Sequence, residues 1–196
     1  MKDQADNSAL PYSLIVLAGG DSRRMNQDKA LLPVKDGTLI EYILQELEGY
    51  FIDTLVSVSE SKKFEFLNQK LVLDEKQGYG PMMGIKSALS VSQQEKNFVI
   101  ACDIPKIQYK LLNNILLMGQ NSDIVVPVSP SGQVEPLFAV YSKSILPQME
   151  RLIRENTHSL LPLFDKCKTD YVKLDSDSGL GNLNTEEDYE AFLRQL

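Results

Sequence analysis

SLIVLAGGDSRRMNQDKALLP, residues 13–33, is the stretch on which the fold turns. The apolar run behind Ser13 reads as the end of a buried strand. Gly19 and Gly20 close it, and Arg23, Arg24 and Lys29 follow within ten residues. Glycine has no Cβ, so the backbone N–H groups there can come close to an anion and form a concavity around it. Arg23 offers a planar fork to phosphate oxygens, and Lys29 a point charge. The loop is not G-x-x-x-x-G-K-[ST], since no second glycine precedes Lys29 and Ala30 follows it; nor is it G-x-G-x-x-G. Spacing alone leaves two readings open. The loop is either a triphosphate cradle or a strand exit with solvated cations, in which Asp28 and Lys29 form a surface ion pair.

Outward from this stretch, short β-branched runs alternate with longer amphipathic ones, the pattern of βαβ units and a parallel sheet. Strands are expected over 13–17, 54–58, 71–73, 98–101, 123–127, 135–141 and 171–174. Helices are expected over 39–47, 62–68, 83–92, 109–118, 144–155, 160–166 and 186–196. Thr38-Leu-Ile-Glu41 reads as a capping box, and Thr185-Glu-Glu-Asp188 as a looser one. SPSGQ at 129–133 is a turn between two strand-like runs, so an antiparallel pair should interrupt the parallel sheet. In such a fold Gly19 and Gly20 fall at the carboxyl edge of the sheet, where open α/β proteins bind ligands. Asp103 directly follows a strand and belongs to the same edge. It is a metal-binding carboxylate or a turn residue.

The chain has 196 residues, enough for one domain spanning 1–196, with 1–12 as a flexible N-terminal tail. Twenty basic against 27 acidic residues give a net charge of −7. That balance argues against nucleic acid or an anionic membrane as a partner held by bulk charge. Two cysteines, Cys102 and Cys167, without a CxxC pair, and one histidine argue against a zinc site. The single histidine, His158, falls in a turn, ENTHSL, with no partner pattern for catalysis. The start, MKDQADNSALPYS, is polar, and no apolar run approaches a bilayer span; a cytoplasmic protein with reduced thiols is expected.

Five segments in order carry a resemblance: LAGGDSRRMNQDKALLP (17–33), YGPMMGIKSAL (79–89), ACDIPKI (101–107), VEPLFAVY (134–141) and GNLNTEEDYEAF (181–192). Together they resemble molybdenum cofactor guanylyltransferases of the MobA type, within the wider nucleotidyltransferase group. Asn26, the pair Met82-Met83 and Glu186 depart from that family's usual residues. The resemblance implies a three-layer α/β/α, Rossmann-like nucleotidyltransferase fold with a mostly parallel sheet. It implies transfer of GMP from GTP to the terminal phosphate of molybdenum-bound molybdopterin, with release of pyrophosphate. Leu17, Ala18, Gly19 and Gly20 would line the triphosphate with Arg23, Lys29 would stabilise charge at the α-phosphate, and Asp103 would hold Mg²⁺. Ser59 or Ser61 would replace an asparagine used near the guanosine. Glu135, Pro136, Asn182 and Asn184 would lie near the second substrate.

Two further positions have a physical reading of their own. Asp74, after the third strand, can accept from the N1–H and N2–H₂ pair of guanine, or is a plain turn residue. Gly80, with Gly84, flanks Pro81 at a helix start, where free amides face a ligand or the glycines simply turn the chain. The implied partners are GTP, molybdopterin or molybdenum cofactor, and proteins of cofactor biosynthesis or molybdoenzyme maturation; nucleic acid and membrane are not among them. The rival reaction is CTP-dependent cytidylyl transfer to molybdopterin or a polyol phosphate. A non-catalytic nucleotide-binding module is the rival of a different class.

Overall fold

Alternate residues of the first strand serve two different cores. Leu14 and Val16 pack into one apolar cluster, and Ile15 and Leu17 into a second. All four are at most 6% exposed, so the sheet they belong to is covered on both faces. A computed structural model describes residues 10–19, 28–76, 78–177 and 179–196.

The described residues form a seven-stranded sheet. Its order is β5 (Lys70–Leu73), β4 (Phe51–Val58), β1 (Leu10–Leu17), β6 (Lys96–Ala101), β8 (Phe138–Ser142), β7 (Ile124–Val128) and β9 (Thr169–Lys173). The pairs β1–β4, β1–β6, β4–β5 and β7–β9 are parallel. Only β8 runs against its neighbours β6 and β7, which is the antiparallel interruption expected around 129–133. Helices α1 (Leu39–Glu46), α3 (Tyr109–Gly119) and α6 (Glu186–Leu193) cover one face. Helices α2 (Pro81–Val91), α4 (Leu146–Arg154) and α5 (Leu161–Lys166) cover the other. The result is the expected three-layer α/β/α arrangement. Among the described residues no helix is long and apolar enough to cross a membrane.

Both capping boxes form. Glu41 Oε2 accepts from the Thr38 amide at 2.9 Å, and Asp188 Oδ2 accepts from the Thr185 amide at 2.9 Å. Expected bounds shift at several elements, among them a strand from 54 that begins at Phe51 and a helix to 196 that ends at Leu193; three further shifts have a physical reason. The strand expected to start at Ser13 begins at Leu10, and Tyr12, expected in a flexible tail, is 1% exposed and donates its hydroxyl to Leu116 O at 2.6 Å. The helix expected over 62–68 is a 3₁₀ turn, Ser61–Phe64; Phe64 is buried but Phe66 is half-exposed, so no helical stripe exists to hold a longer element. The strand expected from Glu135 begins at Phe138, because 135–137 first turn back on β7, Glu135 donating to Pro127 O. A short hairpin of β2 (Pro33–Val34) and β3 (Gly37–Thr38) also precedes α1.

Gly119 ends α3 against the sheet. A Cβ there would stand 2.8 Å from Val140 Cγ1 and 3.0 Å from the Tyr12 hydroxyl. Neither neighbour can retreat, since both are fully buried. Gly119→Ala therefore overpacks the core and is expected to cost about 1–3 kcal/mol. Urea unfolding monitored by circular dichroism checks this; an unchanged midpoint would show that α3 can lift off β8 freely.

Candidate active site

The chain runs β1, β4, β5 outward on one side and then returns to place β6 on the other side of β1. The strand order therefore reverses between β1 and β6, and open α/β sheets bind ligands in the crevice beyond the carboxyl ends at such a point. The loops leaving β1 and β6 meet there. Lys29, first residue of the 3₁₀ turn Lys29–Leu31, places Nζ 3.4 Å from Asp103 Oδ2, with side chains 16% and 25% exposed. Asp28 caps that turn by accepting from the Ala30 amide and lies 3.9 Å from Lys63. Gly20, Arg23, Arg24 and Asn26 lie outside the described residues.

Leu17 and Ala18 are buried at the end of β1, and the Ala18 amide donates to Ser57 O at 2.9 Å. Gly19 is exposed and pressed against the next strand exit. A Cβ on it would be 3.1 Å from the Ser59 amide nitrogen and 3.7 Å from Asp74 Oδ2. It is the Ser59 backbone that faces Gly19; its residue is exposed.

Asp74 is held from three sides. Its amide donates to Val58 O at 3.0 Å, and its Oδ1 accepts from the Ser57 hydroxyl at 3.0 Å. On the third side α2 closes in at Gly84, where a Cβ would stand 3.5 Å from Asp74 Oδ1 and 2.6 Å from Ser57 Oγ. Burial raises the Asp74 carboxyl above its ordinary pKa, and the Ser57 hydrogen bond opposes this. The next residue fastens the same turn to α2: the Glu75 amide donates to Ser87 Oγ at 3.1 Å, and Lys86 Nζ sits 2.6 Å from both Glu75 carboxylate oxygens. Gly80 caps α2 with φ +57, a left-handed conformation that glycine adopts without strain.

On the other side of Asp103 lies the C-terminal segment. The Leu183 amide donates to Asp103 O at 2.8 Å, tying residues 181–184 to the β6 exit. Glu135 lies over Gly179, its Oε1 3.2 Å from where a Cβ would project. Burial and the Asp103 charge raise the Glu135 carboxyl, and a hydrogen bond from the Asn182 side chain lowers it. Pro136 is half-buried beside Glu135. Asn184 is exposed and spends its amide on Asp188 Oδ2 at 3.0 Å; the helix cap is Thr185. Thus the structure brings Gly19 to Asp74, Lys29 to Asp103, and Glu135 to Asn182 and Asp103. It brings neither Gly80 nor the Asn184 amide into those contacts. Ser57 escaped the sequence reading, although a serine within TLVSV is a polar residue in an otherwise apolar strand.

The site holds no activated thiol. Burial first, then the Asp103 and Asp28 charges, push the Cys102 thiol far above its usual range. Oxygen donors dominate instead: the Asp103 and Glu135 carboxylates and the Asn182 amide. That donor set fits a hard cation such as Mg²⁺. Among the described residues no three His, Cys, Asp or Glu are grouped closely enough to hold a metal ion. A cation at Asp103 would draw its remaining ligands from substrate phosphates and water, as Mg²⁺ commonly does.

Residues 14–168 match the model of the MobA-like NTP transferase domain. The probable molybdenum cofactor guanylyltransferase of Carboxydothermus hydrogenoformans is 31% identical over 189 residues, covering 93% of this chain and 95% of that one. Among solved structures, molybdopterin-guanine dinucleotide biosynthesis protein A of Archaeoglobus fulgidus superposes with a TM-score of 0.79 at 23% identity, covering 93% and 97% of the two chains. The 2-C-methyl-D-erythritol 4-phosphate cytidylyltransferase of Thermus thermophilus reaches 0.70 at 14% identity, covering 92% and 96%; at that identity it shares the fold alone. The sheet, with its crevice at the β1/β6 reversal, has the fold of both these structures, and the family model makes the chain a nucleotidyltransferase. The chain belongs to the MobA-like NTP transferase family.

Proposed function

We propose that this chain transfers GMP from Mg²⁺-bound GTP to the terminal phosphate of molybdenum-bound molybdopterin, giving a molybdopterin guanine dinucleotide and pyrophosphate. The observation that carries the reading is the approach of Lys29 to Asp103 across the strand reversal, beside the Gly19 cradle. Binding alone requires neither a lysine placed for charge that develops in the transition state nor a metal-binding carboxylate, so the pair favours transfer over a non-catalytic nucleotide-binding module.

In the transfer, an acceptor phosphate oxygen attacks the α-phosphorus, a new P–O bond forms, and the bond to the β-phosphate bridging oxygen breaks as pyrophosphate departs. No protein nucleophile is needed. Two anions must be brought together, so the chain's work is positioning and charge neutralisation. The backbone at Leu17, Ala18, Gly19 and Gly20 lines the triphosphate, with Arg23 as the second cation. Lys29 turns from Asp103 to the α-phosphate as charge builds there and on the leaving group. Asp103 is the residue that would hold Mg²⁺, with Asn182 and Glu135 next to it; bound there, the cation would neutralise phosphate charge and template the in-line geometry. Asp74 accepts from guanine N1–H and N2–H₂, with Ser57 fixing its carboxylate and Ser59 on the neighbouring exit of β4. Gly80 opens α2 with free amides toward the nucleotide. Glu135, Pro136, Asn182 and Asn184 form the acceptor side, and proteins handling the molybdenum cofactor before and after this step are the expected partners.

Thermal shifts with GTP, CTP, ATP and UTP, each with Mg²⁺, test the base assignment. Ligand at about 100 times its dissociation constant stabilises the native state by about 2.7 kcal/mol. GTP is expected to raise the melting temperature most, and pyrophosphate release should then require the molybdopterin acceptor. A larger shift with CTP would transfer the assignment to the cytidylyl reaction.

A further inference from the structure

We infer that His158 and Tyr79 form a clasp that fixes the turn at residues 78–80 and thereby sets nucleotide affinity; the inference rests on the reading of Asp74 and Gly80 above. The turn leads from the Asp74 carboxylate to the first turn of α2. Its backbone has little stiffness of its own, since Gly78 and Gly80 flank Tyr79 with φ of +85 and +57. Tyr79 supplies the only side chain in this turn.

That side chain packs on the corner between α4 and α5, with Lys76 Nζ 6.0 Å from the centroid of its ring. The Tyr79 and His158 rings stack with centroids 4.4 Å apart and planes 2° from parallel. The Tyr79 hydroxyl donates to Asn156 Oδ1 at 3.3 Å. His158 Nδ1 lies 3.0 Å from Gly78 O. A carbonyl only accepts, so Nδ1 carries a proton and donates, which fixes the ring orientation. Two rings and two hydrogen bonds therefore span from the corner to the glycine turn.

The corner is a firm anchor. Asn156 adopts φ +58, its amide donates to Ile153 O at 3.0 Å, and the Thr157 amide donates to Leu152 O at 2.9 Å. This is the Schellman arrangement that closes a helix with its last carbonyls satisfied. Leu152, Ile153 and Leu160 seat the corner in the apolar core. A rigid corner holding a glycyl turn through aromatic contact restricts the unliganded turn to one geometry. A ligand that uses the turn then loses less conformational freedom on binding.

Calorimetric titration of GTP with Mg²⁺ into the full chain tests this, on wild type, His158→Ala, Tyr79→Ala, Tyr79→Phe and the double alanine variant. Each single alanine variant is expected to weaken GTP binding about 3- to 10-fold, the scale of one aromatic pair with its hydrogen bond. Tyr79→Phe keeps the stack and should lose less than Tyr79→Ala. The double variant should lose less than the sum of the two single losses, because both side chains share the one stack. Turnover at saturating GTP and acceptor should stay within about twofold, since neither ring touches the reacting atoms. GTP affinity unchanged in either single variant, or additive losses in the double, would overturn the clasp while leaving the guanylyl reading intact. No GTP binding by the wild type would overturn that reading and this inference with it.

Discussion

Lys29→Ala is expected to lower guanylyl transfer at saturating GTP by about 10³-fold, at the upper end of the loss on removing one preorganised donor to developing charge. Lys29 lies at the strand reversal with its ammonium 3.4 Å from Asp103, inside the crevice and only 16% exposed. In the proposed complex ground-state binding has other contributors, namely the Gly19 backbone and the base contact assigned to Asp74. Affinity for GTP should therefore fall by no more than about tenfold, roughly the 1.4 kcal/mol of one modest contact. The split matters: a larger loss in turnover than in affinity marks an interaction made chiefly in the transition state. Fold stability should barely move, because a partly exposed ion pair contributes about 0–1 kcal/mol. Lys29→Arg keeps the charge but replaces a compact ammonium with a wide planar fork, and should recover only part of the rate. Pyrophosphate release under single-turnover conditions is the measurement. Turnover within tenfold of wild type would reduce the Lys29–Asp103 pair to a structural contact.

Much of this site is legible in the sequence because it uses local rules. A β-branched run ending on two glycines announces a strand exit, and Asp103 after the next such run announces the same edge. Thr38 and Glu41, or Thr185 and Asp188, declare a helix start by spacing alone. What local rules do not carry is which loops meet. Ser57 shows the difference: nothing in TLVSV says that its hydroxyl will hold the Asp74 carboxylate across from β5, or that α2 will need a glycine at position 84 to pass beside it. The turn at Ser61–Phe64 failed as a helix for a related reason. Its apolar spacing looked helical, yet only Phe64 found a core to enter, and tertiary packing decides whether a short amphipathic run continues. The polar residues before Tyr12 read as a tail, whereas its hydroxyl reaches Leu116 O on α3.

Asp74→Asn is expected to exchange base preference and to raise stability at the same time. Guanine presents two donors, N1–H and N2–H₂, which a carboxylate can accept together. Asparagine can accept from N1–H through Oδ1 but turns a donor toward N2–H₂. Hydrogen bonds to a charged group contribute about 1.5–3 kcal/mol, so GTP affinity should fall about 10- to 100-fold. Xanthine carries a carbonyl where guanine carries that amino group, and the asparagine amide can donate to it. XTP should accordingly bind the variant more tightly than it binds wild type, by a similar factor. Ser57 keeps its acceptor in Oδ1, so the local geometry survives the substitution. The stability effect follows from the raised carboxyl pKa. A carboxyl raised by burial favours the native state fully below the ordinary carboxylate range, near pH 4, and loses that contribution as pH rises through its folded pKa. At pH 7 the ionised Asp74 is therefore a cost that asparagine removes. The melting temperature of the variant should exceed that of wild type at pH 7, and the gap should close as pH falls toward 4. A variant that lost stability at pH 7 would mean that the Asp74 charge has a compensating partner. A variant that kept wild-type GTP affinity would place the guanine contact elsewhere in the crevice.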